Sequence, residues 1–195
     1  MLRALSDEGD AMWFTVLLIV AATLYRALPH PYNVAPIGAL FLLSGLYLPR
    51  RGASAWVLPF VAVILSDLIA YYQWDGTFFR FGRLIDYAAL VLIGLLGRWA
   101  RERAIGARLA CVLAAPVVFY LISNFGVWAV AADGSPQLYG HTIDGLLSCY
   151  AAGIPFFRGT LIGDVLFAGG GILLIETLRR LPGVALQRLA QPAAS

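Results

Sequence analysis

The chain has 195 residues, 61% of them hydrophobic and only 13% charged, with a mean hydropathy of +0.79. Soluble domains run at roughly 45–50% apolar and about 25% charged, so this composition excludes an ordinary soluble enzyme and describes an all-α integral membrane protein. The net charge of +3 comes from arginines whose placement reports membrane topology, and nothing in it calls for a nucleic-acid partner.

The length accommodates about six spans of roughly 20 residues in one domain covering 1–195. The first apolar run covers about 12–28 and stops at Pro29. Asp7, Glu8 and Asp10 precede it and no small-x-small site closes it, so the segment reads as retained rather than as a cleaved signal. A proline-rich stretch, "PHPYNVAP", leads into a second run at about 36–49, too short at 1.5 Å per residue to cross about 30 Å of hydrocarbon unaided. The third run covers about 55–72. An aromatic loop, "YYQWDGTFFRFGR", follows it. The fourth run covers about 84–97 and the fifth about 109–132. The last region reads either as two spans or as a short outer helix at about 142–153 leading into a span at about 159–178. Pro155 and Arg158 favour the second reading.

Arginine sets the orientation. With six spans, Arg3, Arg50, Arg51, Arg98, Arg101, Arg103, Arg108, Arg179, Arg180 and Arg188 fall on one side, against Arg26, Arg80, Arg83 and Arg158 on the other. The richer side is the cytoplasm, and both termini lie there. Polar residues within the apolar runs then sort by depth. Asp67 falls in the outer half of the third span, Asp86 near the outer end of the fourth, Asn124 outward along the fifth and Asp164 in the first turns of the sixth. His30 and Asn33 join them at the outer face.

Ionisable groups at membrane depth normally face the protein interior or a water-filled cavity, and irregular backbone is tolerated there only under the same condition. "PHPYNVAP" therefore reads as a cavity wall or lid. Each residue also has a plainer role open to it. His30 and Asn33 would serve as caps of helix ends, Asp67 as the ion-pair partner of Arg26 or Arg83, and Asp164 as a complement to a helix dipole beside the close-packing Gly159–Gly163 pair.

The segments "RALPHPYNVAPIGAL", "LSDL", "NFGVW" and "GLLSCYAAGIPFFRGTLIGD" resemble an uncharacterised family of small bacterial integral-membrane proteins related to the substrate-binding S-components of energy-coupling factor vitamin transporters. That resemblance implies a six-helix bundle in the bacterial cytoplasmic membrane. Its outward-facing pocket would be covered by loops and would bind a vitamin-like solute. S-components commonly carry a small-xxx-small pattern on the first helix for docking an energy-coupling module. Here Ala35 and Ala39 have that spacing but lie on the second helix, so a coupled carrier and a solitary one both stay open.

Catalytic motifs are missing. Leu161 replaces the first glycine of an intramembrane Gly-x-Gly-Asp, and no Gly-x-Ser-x-Gly, Gly-x-x-x-x-Gly-Lys or His-Glu-x-x-His occurs. The glycines of "AGGGIL" lie mid-span, where they serve packing. Cys111 and Cys149 suggest no disulfide framework, and no cofactor is implied. His30, His141 and Cys149 have side chains suited to a late first-row metal, without a ligand-spacing signature. The expectation is a non-enzymatic solute-binding and uptake protein, its site built from His30, Asn33, Asp67, Trp74, Asn124, Tyr150 and Asp164. Its rival is a non-transporting scaffold or accessory subunit whose polar residues only hold helices together.

Overall fold

The structure is a computed structural model that describes residues 2–28, 31, 33–48, 54–70, 82–130 and 138–180. The regular secondary structure of the described residues is entirely helical, without strands. In chain order the helices are α1 (Leu2–Ala27), α2 (Ile37–Tyr47), α3 (Ser54–Ala70), α4 (Gly82–Ala100), α5 (Ile105–Ala129), α6 (Ile143–Asp164) and α7 (Gly170–Arg180). A π-helical turn, Val165–Gly169, joins the last two without a break.

The C-terminal region differs from both sequence readings. Neither a separate outer helix at 142–153 nor a span starting at 159 is present. One helical rod runs from Ile143 to Arg180, about 57 Å at 1.5 Å per residue. Thr142 starts it, its hydroxyl accepting the Gly145 amide at 3.1 Å. Pro155 does not break the rod. Pro59 and Pro116 are likewise inside α3 and α5, as helices packed among other helices permit.

Helix α2 is the core of the molecule. Every residue from Gly38 to Tyr47 is buried, so this short helix has no outward face. It packs most extensively on α4, and also on α1, α3 and α5. The α2–α4 contact is backbone on backbone: a Cβ on Gly97 would fall on the Leu42 carbonyl oxygen and 3.3 Å from the Gly45 Cα. Phe41 sits edge-on to Phe60 of α3 at 5.0 Å, and Phe60 in turn to Tyr87 of α4 at 6.0 Å.

The outer faces are apolar. Trp13, Leu17, Val20 and Leu24 form an exposed stripe on α1, and Leu113, Val117, Leu121 and Phe125 form one on α5. Two helical segments, Ile105–Ala129 and Ile143–Thr177, are long and apolar enough to cross a membrane.

Candidate functional site

Three polar centres hold the bundle. At the end where α1 and α3 finish, Asp67 receives Arg26 at 3.1 Å and Arg83 at 2.6 Å. Tyr87 donates its hydroxyl at 3.2 Å to Oδ2, the Asp67 oxygen that Arg83 also contacts. Arg26 also donates to the Ser66 hydroxyl, which donates to the Val63 carbonyl at 2.8 Å. The sequence offered Arg26 or Arg83 as the partner of Asp67. Both are used, one carboxylate joining α1, α3 and α4.

The other two centres sit at the ends of α2. Its N-cap, Pro36, supplies no side-chain acceptor, leaving the first amides of a buried helix in need of one. Asp164 fills that need from 125 positions away, accepting the Ala39 amide at 2.8 Å. Asp164 is 0% exposed, and its second oxygen has no hydrogen-bond partner among the described residues. A side chain on Gly38 would collide with that carboxylate, so glycine is what admits it. Asp164 thus lies not in the first turns of a span but at the middle of the C-terminal rod, and it complements the dipole of α2. At the opposite end Arg101 donates to the Leu46 carbonyl at 2.8 Å and to the Leu48 carbonyl. Beside it, Arg108 pairs with Glu176 at 2.6 Å, and Tyr47 donates to Glu176 at 2.9 Å.

A cavity of about 210 Å³ opens between the N-terminal end of α2, the middle of α5 and α6. Its apolar wall includes Ile37, Pro116, Phe119, Phe156 and Phe157, and its polar groups are Asn33, Tyr120, Ser123, Asn124 and Thr160. Asn33 has φ of 57°, a left-handed conformation that asparagine tolerates better than most residues. Asn124 donates from Nδ2 to the Tyr120 carbonyl at 2.8 Å, and its amide lies so close to Gly153 that a Cβ there would strike it. The cavity is smaller than the roughly 300–1,000 Å³ of pockets for drug-sized ligands, but it has their make-up of apolar walls with a few convergent polar groups.

Of the sequence candidates, Asn33 and Asn124 meet in this cavity. Asp164 lies behind Gly38, one of its lining residues. Asp67 belongs to the separate ionic centre described above. Tyr150 does not line the cavity. It stands behind Tyr120, with its ring at 5.6 Å, its carbonyl accepting the Tyr120 hydroxyl at 2.6 Å and its own hydroxyl donating to Leu121 at 2.9 Å. His30, Trp74 and the aromatic loop around Trp74 lie outside the described residues.

The metal candidates do not gather. The His141 ring packs on Trp128 at 5.5 Å, whereas the buried Cys149 thiol donates to the Asn124 carbonyl at 3.3 Å. No group of three or more His, Cys, Asp or Glu that could hold a metal ion occurs among the described residues. Tyr120, Ser123 and Thr160 were missed from sequence. Helical spacing could have found two of them: Pro116, Tyr120 and Asn124 fall four apart, with Phe119 and Ser123 beside them, on the flank next to the exposed Leu113–Val117–Leu121–Phe125 stripe.

Fold and site together define an all-helical protein of membrane character with a polar-lined cavity among its described residues. The chain belongs to a family of unknown function, DUF6580, whose family model matches residues 7–182. No curated protein and no solved structure matches the chain.

Proposed function

We propose that the protein is a six-span bundle of the bacterial cytoplasmic membrane, related to the S-components of energy-coupling factor transporters, that binds a small solute from the outside and takes part in its uptake. The observation that carries this reading is the cavity, where Asn33, at an irregular turn before α2, and Asn124, on α5, converge among aromatic walls. The apolar outward stripes of α1 and α5 support a bundle surrounded by lipid, since soluble monomers seldom expose such continuous apolar surface. The arginine count supports cytoplasmic termini. Reporter fusions at the C-terminus and within 50–54 should therefore both report the cytoplasm, and an external C-terminus would overturn the six-span arrangement.

Binding is tested by native mass spectrometry on protein purified in mild detergent, which should show a co-purifying small molecule. Asn124→Ala and Asn33→Gly should reduce its occupancy, each with affinity lowered about 5- to 150-fold for the loss of a hydrogen-bond partner to a buried ligand group. Glycine is the substitution of choice at 33, because alanine would add strain at positive φ. Thermal stability should be little changed in both variants. The rival, a non-transporting accessory subunit, draws on the fact that Asp67 and Tyr150 are engaged by neighbouring helices. In that case a partner protein, and no small molecule, accompanies the chain through purification.

A further inference from the structure

The polar groups of the cavity are unequal in what they offer. Tyr120 has its hydroxyl hydrogen committed to the Tyr150 carbonyl at 2.6 Å. Thr160 and Ser123 turn theirs back onto their own helices, to the Phe156 carbonyl at 3.3 Å and the Tyr120 carbonyl at 3.5 Å. Asn124 has one Nδ2 hydrogen committed to the Tyr120 carbonyl. That bond also fixes the orientation of its amide, because a carbonyl can only accept, and so places Oδ1 as the remaining acceptor. What these four side chains leave for a ligand is chiefly lone pairs. The Tyr120 hydroxyl has no hydrogen left to give, Thr160 and Ser123 hold theirs in long contacts to their own helices, and Asn124 keeps one against two lone pairs on Oδ1. Asn33, the fifth polar lining residue, adds an amide with both N–H hydrogens and carbonyl lone pairs, so across all five side chains lone pairs still outnumber hydrogens.

The cavity is also without a charged lining side chain among the described residues. Asp164, which lies behind the lining residue Gly38, is turned onto the N-terminus of α2, whose positive end it offsets. An ion placed among Phe119, Phe156 and Phe157 would lose its hydration without gaining a counter-ion, and the attraction that ring faces return to a cation is weaker than the cost of its desolvation. The same rings are well suited to a flat, apolar body.

We infer that the ligand of this cavity is an uncharged, planar molecule that presents N–H donors, such as a primary amide or amino group on an aromatic ring, to Asn124, Ser123, Thr160 and Tyr120. This inference rests on the solute-binding reading above and narrows the chemical class of the solute.

Four probes of nearly one shape separate the terms: benzamide is neutral and carries N–H donors, acetophenone is neutral without them, benzoate is an anion and benzamidinium a cation. Titrated calorimetrically into the full chain in mild detergent, benzamide should bind in the millimolar range, acetophenone about tenfold or more weakly, and the two ions not measurably. Asn124→Ala should remove the preference for benzamide over acetophenone. Thr160→Val, which keeps shape and deletes a lone-pair donor, should reduce that preference in a protein of normal stability. Equal binding of acetophenone and benzamide, or preferences unmoved by either variant, would overturn the donor assignment. Tighter binding of either ion would overturn the uncharged class. If no probe binds although a small molecule co-purifies, the class is wrong and the solute-binding reading stands. If no probe binds and nothing co-purifies, both fall.

Discussion

Replacing Asp67 by alanine should destabilise the protein by about 3–5 kcal/mol, the usual consequence of removing one partner from a buried charge cluster. The Asp67 side chain is 9% exposed and answers two guanidiniums, those of Arg26 and Arg83. Its loss leaves Arg26, 13% exposed, with only the Ser66 hydroxyl among its described hydrogen bonds. Arg83 is 25% exposed at the first turn of α4 and can turn its head toward water. For a chain of this size the expected fall in the thermal midpoint is about 6–20 °C. The double variant Arg26→Met/Asp67→Leu should recover a large part of this, because it removes the stranded charge instead of exposing it. A double variant no more stable than Asp67→Ala would show that the three-helix bridge itself, and not an unpaired cation, sets the loss. Small-molecule occupancy should be unchanged in the surviving protein, since Asp67 does not line the cavity.

The second large effect is expected from a single methyl group. Glycine to alanine in a helix is ordinarily favourable by about 0.4–1 kcal/mol, through a smaller entropy loss on folding. At Gly106, on the exposed first turn of α5, a Cβ meets nothing within 4 Å, and Gly106→Ala should stabilise by that amount. At Gly97 the same methyl lands on the Leu42 carbonyl oxygen, a backbone atom of the fully buried α2 that cannot swing aside. Gly97→Ala should therefore cost about 1–3 kcal/mol by forcing α2 and α4 apart, and Gly97→Val more. Thermal unfolding of the two alanine variants side by side should show midpoints shifted in opposite directions. Equal shifts would mean that α2 and α4 are not in backbone contact.

What could be read from the sequence follows from which forces are local. Composition and proline punctuation are local, and they were enough for an all-helical chain of membrane character. The depth argument was local as well, and it put Asn33 and Asn124 at one level. It could not separate Asp67 from them, because depth fixes height along the bundle but not which neighbours a helix face meets. The roles of Asp164 and Arg101 were illegible for the same reason. Each caps a helix to which it does not belong, and no spacing within one segment records that. The C-terminal rod was misread because Pro155 is a strong local breaker and Arg158 a charge of the kind expected at a membrane boundary, whereas packing against α5 keeps the helix intact through both.

The π turn at Val165–Gly169 has a consequence for phase. Asp164 and Glu176 lie on one rod and reach opposite ends of α2, Asp164 at the Ala39 amide and Glu176 at the Tyr47 hydroxyl. In an uninterrupted α-helix, advancing about 100° per residue, side chains 12 positions apart point about 120° away from each other and could not both face the same neighbour. A π turn takes one more residue per turn than an α turn does, so the interval behaves like about 11 α-helical residues and the two directions come within about 20°. The inserted residue is thus the phase correction that lets a single helix clasp both poles of the buried one. It also ties the two together: any rotation of the rod that draws Asp164 off the N-terminal pole of α2 must carry Glu176 away from Tyr47 at the C-terminal one.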